Sequence, residues 1–171
     1  MEEIPIVAIR EKMSERTLII LKPDATKRQL TGKILMRFEE RGLKIVGLKM
    51  LMATRGQLKK HFPSSEEWMR GMAQKTLDEY AALDVDPVKD FGTNDALEIG
   101  RKILASCYEF YLSGPLVAVV IEGVSSVAIV RKMVGNTLPA LAEPGTVRGD
   151  FAFGDARSAN MVGSPTKNII H

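Results

Sequence analysis

Ser113-Gly114-Pro115-Leu116-Val117-Ala118-Val119-Val120-Ile121-Glu122-Gly123 is the stretch on which the fold turns. Its apolar run, with turn-forming residues on both sides, reads as a buried strand. A second run, Thr17-Leu18-Ile19-Ile20-Leu21, is broken at once by Lys22-Pro23-Asp24, which sets Lys22 at a strand end. Between the two the periodicity changes. Thr31 can cap a helix in which Ile34, Leu35 and Phe38 share one face opposite Lys33, Arg37 and Glu40, with Gly42 as its stop. Leu43 to Ala53 reads as a strand whose Lys44 and Lys49 fall on opposite parities, so a bulge near Gly47 is needed to keep both out of the core.

Ser64 or Ser65, followed by Glu66 and Glu67, opens a second helix running to about Leu83. A loop rich in Asp, Pro and Gly covers 84–94. A helix from Asp95 to Leu112 then delivers the chain to the Leu116 strand, and Ser125 or Ser126 begins a short helix holding Arg131. The order strand, helix, strand, helices, strand, helix predicts an α+β fold with helices on one face of an antiparallel sheet.

A chain of 171 residues, 45% hydrophobic and 26% charged, has the composition of an ordinary globular protein with one sizeable core, so one domain over 1–171 is expected. The single Cys107 has no disulfide partner in the chain and reads as a small, half-buried hydrophobe. The net charge of +3 is spread over interleaved Lys, Arg, Asp and Glu, so nucleic-acid binding is not indicated. No apolar run approaches a membrane span, and Met1-Glu2-Glu3 is acidic where a secretory signal is basic. A cytoplasmic address without a membrane partner is expected.

His171 is one of two histidines and the last residue. A neutral imidazole near pH 7 is an available nucleophile without special activation. Its company upstream is Lys22-Pro23-Asp24 after the first strand, Ser113-Gly114-Pro115 before the third, Arg131-Lys132-Met133-Val134-Gly135-Asn136-Thr137, Pro144-Gly145-Thr146-Val147-Arg148-Gly149-Asp150-Phe151, and Asn168-Ile169-Ile170. In that order, from about Glu15 to the end, these motifs resemble the nucleoside diphosphate kinase family.

The resemblance implies a ferredoxin-like antiparallel sheet covered by helices, with Asn168 to His171 beginning a fourth strand. It implies transfer of the terminal phosphoryl group of a nucleoside triphosphate to a nucleoside diphosphate, by a ping-pong route through a phosphohistidine on His171. Mg2+ would accompany the nucleotide, and the family forms hexamers or tetramers. The chain has no Walker A run and no Gly-x-Gly-x-x-Gly, so side chains must supply the positive charge. The resemblance assigns this to Lys22, Arg131 and Arg148, with Thr137 adding a hydroxyl and Asn168 an amide. Without the family, Arg131 and Lys132 read as a solvated helix face, Arg148 as a loop ion-pair partner, Lys22 as a surface strand end, and Thr137 and Asn168 as turn residues.

Several positions depart from the family pattern. Phe62 stands where a tyrosine generally follows the histidine, here His61, which itself reads as a polar residue near a helix start. The region 63–107 is expanded, and Trp68 is the candidate there for the aromatic clamp on the base, against a core or interface role. A second expansion covers 152–166, and residues 1–12 read as an N-terminal extension whose Ile4-Pro5-Ile6-Val7-Ala8-Ile9 could add an edge strand. The family continues past the histidine, so the C-terminus reads as incomplete. The alternative is a catalytically inactive relative serving as a binding or regulatory module. A ferredoxin-like RNA-binding domain lacks the paired exposed strand aromatics that stack bases.

Overall fold

The computed structural model describes residues 14–82, 84–137, 139–153 and 170. The extension 1–12, most of the 152–166 expansion, Asn168 and His171 lie outside them.

The Leu116 strand is the middle of the sheet, as its uninterrupted apolar run requires. Among the described residues, β1 (Ser14–Leu21), β2 (Lys44–Leu51) and β3 (Leu116–Val124) form an antiparallel sheet in the order β1-β3-β2. β1 pairs with β3 from Ser14↔Val124 to Leu21↔Val117 without a slip. β2 pairs with β3 from Lys44↔Glu122 to Leu51↔Leu116, with its register shifted between Ile45 and Gly47. That irregularity is the bulge the parity of Lys44 and Lys49 demands, and both lysines are exposed. On the other edge of β1, Leu21 makes an antiparallel bridge to Ile170, where the fourth strand is expected.

The helices depart from the sequence reading mainly by being more numerous. Lys22-Pro23-Asp24 starts a helix, α1 (Pro23–Lys27), because proline is preorganised for a first helical position. In α2 (Thr31–Glu40) the N-cap is Leu30, with no side-chain cap, so Thr31 lies inside the helix; Gly42 follows with φ +82°. The short α3 (Arg55–His61) was hidden in a polar stretch, although Thr54 and Gln57 form a reciprocal capping box. His61 thus closes a helix instead of preceding one. Ser65 Oγ accepts from the Trp68 amide at the start of α4 (Glu66–Ala82). Inside the segment read as a loop, Asp86 caps α5 (Pro87–Phe91), which stops at left-handed Gly92. α6 (Ala96–Leu112) is capped by Asp95, α7 (Ser126–Val134) follows Ser125, and α8 (Val147–Phe151) is capped by Thr146.

Helices meet both faces of the sheet, not one. Ile19, Leu21, Val117, Val119 and Ile121 pack against Ile34 and Phe38 of α2 and Val130 and Val134 of α7. On the opposite parity, Ile20 and Leu116 pack with Leu58 of α3 and Tyr111 of α6. The second layer exists because the central strands are apolar on both faces, leaving Ile20 and Leu116 to be covered. α4 lies on α6 through Ala73, Ile99 and Ile103. A Cβ at Gly100 would meet the Met69 carbonyl oxygen, so the close crossing of these helices requires glycine there.

Candidate functional site

Lys22 turns the chain from β1 into α1, with extended backbone at the N-cap (φ −78°, ψ 168°). Its carbonyl accepts from the Ala25 amide at 2.9 Å, and Thr26 Oγ1 donates to the Pro115 carbonyl at 2.6 Å, tying α1 to the turn before β3. The lysine is 7% exposed. Its Nζ lies 5.5 Å from the Tyr111 ring centroid and 5.9 Å from that of Phe110.

Arg148, on α8, reaches the same region and is 8% exposed. Its Nη1 donates to the Gly135 carbonyl at 2.6 Å and its Nη2 to the Ile170 carbonyl at 3.0 Å. One guanidinium thus ties the end of α7 to the bridge beside Leu21. Gly135 has φ +83°, and a Cβ there would strike Thr146 Oγ1, so only glycine lets the α7 terminus lie against the α8 cap. Arg37 braces the arrangement from α2. Its guanidinium donates to the Thr146 carbonyl at 3.2 Å, pairs with the Asp150 carboxylate and stacks 4.3 Å over the Phe151 ring. Arg28 Nη1 donates to the Phe151 carbonyl at 2.6 Å. The Gly145 amide, followed by Arg37, holds the Asp150 carboxyl below its ordinary pKa.

Burying Lys22 pushes its ammonium down to about 8, with Arg148 adding to the fall and Cys107 and Asp24 opposing it. Burial likewise raises Asp24 to about 6 against the pull of Lys22, and lowers Arg148 to about 10, so the guanidinium stays charged at neutral pH. Burial raises the Tyr111 phenol. Among the described residues, two buried cations thus share the region with one buried carboxylate. The excess is positive, and a low-dielectric setting of this kind favours an incoming anion.

An aromatic row leads outward from Lys22. The Tyr111 ring meets Phe62 edge-on at 5.3 Å, and Phe62 lies 6.4 Å from Trp68. Trp68, half-buried on α4, lines an open cavity of about 640 Å3 with Pro63, Ser65, Glu67, Met72 and Lys75. An aromatic ring beside polar groups and a lysine in an open cavity is a surrounding that suits a flat heterocycle.

Lys22 and Arg148 therefore meet around Ile170, and Trp68 stands at the other end of the aromatic row. Arg131 and Thr137 are exposed, and the Arg131 guanidinium makes no hydrogen bond or ion pair among the described residues. Thr137 follows Gly135, which Arg148 holds, by two residues. Asn168 and His171 lie outside the described residues. The sequence reading did not single out Tyr111, Asp24 or Arg37 as site residues. Tyr111 was concealed in the apolar face of α6, Asp24 in a proline turn, and Arg37 among residues assigned to solvent. Only Cys107 and Tyr111, one helical turn apart, carry a spacing that points both to one face.

The family pattern described as nucleoside diphosphate kinase matches residues 15–73 and 96–171. The unmatched 74–95, within the expansion expected over 63–107, holds the second half of α4 and all of α5. The nucleoside diphosphate kinase of Pyrobaculum aerophilum is 46% identical over 92% of this chain and 86% of its own length. That of Methanocaldococcus jannaschii is 38% identical over 93% of this chain and 83% of its own. The crystal structure of an NDP kinase from Pyrobaculum aerophilum superposes with a TM-score of 0.84 at 44% identity, covering 92% of this chain and 87% of that one. A transition-state mimic of the Borrelia burgdorferi nucleoside-diphosphate kinase with bound vanadate and ADP gives 0.61 at 30% identity, covering 94% and 79%.

Proposed function

The chain belongs to the nucleoside diphosphate kinase family, and from that premise we propose that it moves the phosphoryl group in two half-reactions through His171. In the first, an imidazole nitrogen attacks the terminal phosphorus of a nucleoside triphosphate; the new N–P bond forms as the bond to the bridging oxygen breaks, releasing a diphosphate. In the second, a terminal oxygen of another nucleoside diphosphate attacks that phosphorus and the imidazole leaves. Donor and acceptor share a diphosphate and differ only by the group transferred, so one site can hold each in turn.

The observation that carries this reading is the meeting of Lys22 and Arg148, both nearly buried, around Ile170, the residue before His171. Their task is to neutralise the equatorial phosphate oxygens and hold the transfer in line. Arg131 and Thr137 would close the anion path from the α7 side, Asn168 would orient the ribose or a neighbour, and Trp68 would stack on the base. The vanadate and ADP bound by the Borrelia burgdorferi relative support a site that takes a diphosphate and a transferring group together.

Among the described residues no three His, Cys, Asp or Glu side chains gather to hold a metal ion. Mg2+ would enter with the nucleotide beside Lys22 and Arg148, where it would supply further neutralisation of the diphosphate charge. No helix among the described residues is long and apolar enough to cross a membrane. A cytoplasmic setting is part of the same reading. So is a homo-oligomer of four or six copies, supported by Leu48, Met50 and Met52 at 55%, 59% and 57% exposure along the edge strand β2 and just beyond it.

Exchange between ATP and a nucleoside diphosphate, assayed on the full-length protein and its His171→Ala variant, tests the proposal. Wild-type exchange, lost in the variant with nucleotide binding retained, is expected. Undiminished exchange in the variant would overturn His171 as nucleophile, and nucleotide binding without exchange in the wild type would leave a binding module.

A further inference from the structure

Tyr111 holds a polar atom for which the protein itself offers no use. The residue is 2% exposed, and its hydroxyl oxygen has no hydrogen-bond partner among the described residues. Leaving a phenol oxygen in such a place is costly, and native proteins seldom do so without a compensating role. The ring is fixed: Phe62 meets it edge-on at 5.3 Å and Phe110 at 6.2 Å, so the hydroxyl cannot swing out to water without disturbing both.

The surroundings indicate what the hydroxyl is for. Lys22 Nζ lies 5.5 Å from the ring centroid, on a flexible four-carbon stem, and makes no ion pair among the described residues. Arg148 already donates through Nη1 and Nη2 to the Gly135 and Ile170 carbonyls. We propose that Tyr111 is a positioning residue of the phosphate site, whose hydroxyl accepts a hydrogen bond from the Lys22 ammonium when phosphate is bound. The inference rests on the nucleotide-transfer reading. A phosphate holds the lysine in its charged form to higher pH, that form needs acceptors, and the Tyr111 hydroxyl can supply one. The orphaned hydroxyl of the unliganded protein is then the cost of holding the acceptor ready. Among the described residues, the other titratable and charged groups facing Lys22 are Asp24 on α1, His61 on α3, Cys107 on α6 and Arg148 on α8. Of these, Asp24 is the rival acceptor, a buried carboxylate whose ionised form Lys22 and the Ala25 and Asp24 amides favour.

Tyr111→Phe separates the possibilities because it keeps the ring and its packing. The measurements are the melting temperature of the unliganded protein and kcat/KM for ATP with a diphosphate acceptor across pH 6–10. The expected variant melts at the wild-type temperature or higher, because a buried orphan has been removed. Its kcat/KM falls about tenfold, the usual worth of one hydrogen bond to a charged group. Its alkaline limb moves to lower pH, because the charged lysine has lost an acceptor. Wild-type kcat/KM with an unmoved limb would overturn the proposal. So would a lower melting temperature with reduced activity and an unmoved limb, which marks a structural role only. If Asp24→Asn moves the limb and Tyr111→Phe does not, Asp24 is the acceptor and the proposal fails. Absence of exchange in the wild type would defeat the transfer reading, and this inference with it.

Discussion

At the scale of single residues, the site is a matter of desolvated charge. Lys22, with its ammonium pushed down to about 8 by burial, is half deprotonated near pH 8 in the unliganded protein. A bound phosphate favours the charged form and raises that pKa, so binding above pH 8 must take up a proton. The sign is fixed: ADP affinity falls as pH rises above about 8, and calorimetry in buffers of different ionisation enthalpy should show net proton uptake there. Affinity independent of pH from 6 to 10 would remove Lys22 from the anion site. Arg131 is exposed and makes no hydrogen bond among the described residues, so it is available to a ligand. Arg131→Lys keeps the charge and loses the fork, and kcat should fall about tenfold or more with a smaller change in KM. A solvated arginine would tolerate the change, and steady-state kinetics distinguishes the two. The motif residues were legible in the sequence because charged side chains beside glycine and proline stand out. Tyr111 and Asp24 were not legible, since what sets them apart is the burial of a polar group, a property only of the assembled site.

At the scale of elements, the unit that aims Arg148 is α8 with its preceding turn. The turn is held by the Thr146 cap, by Arg37 from α2 and by Arg28 on the Phe151 carbonyl. Arg37→Ala should cost about 1–3 kcal/mol in stability, because a guanidinium that both donates to a carbonyl and stacks on a ring is lost. It should also raise KM for nucleotide, as Arg148 loses its support. Arg37→Lys should restore little of either, and chemical denaturation with steady-state kinetics checks both variants. The crossing of α4 on α6 is similarly specific. Gly100→Ala should push the helices apart at Met69, lowering stability by about 1–3 kcal/mol and weakening nucleotide binding through Trp68. Melting curves with and without ADP would show a reduced ligand-induced shift. Strands and long helices were readable here because β1, β3, α2 and α6 carry strong periodicity or unbroken apolar runs. The short α1, α3 and α5 were not, since each buries little and is set by caps and proline. The capping box at Thr54 and the Asp86-Pro87 pair are the local signals that mark the starts of α3 and α5. The expectation of helices on a single face failed because the unbroken apolar run of β3 buries residues of both parities.

At the scale of the molecule, the fold turns sequence distance into proximity. β1 ends at Lys22, Ile170 bridges Leu21, and Arg148 holds the Ile170 carbonyl, so three segments more than 120 residues apart at their extremes meet at one point. No local pattern encodes that convergence; it follows from the antiparallel order of the sheet and became readable in the sequence only through resemblance to a family. The stretch 74–95, outside the family match, lengthens α4 and returns through α5 to α6, bracing the helix that carries Trp68. In the proposed reaction the chain holds a phosphoryl group covalently between its two substrates. The direct measurement is to incubate the full-length protein with ATP radiolabelled in its terminal phosphate, isolate it, and treat it with acid or base. The expected label survives base, is lost in acid, is discharged by added nucleoside diphosphate, and is absent from His171→Ala. An unlabelled wild-type protein, or a label that the His171→Ala variant keeps, would contradict that reaction.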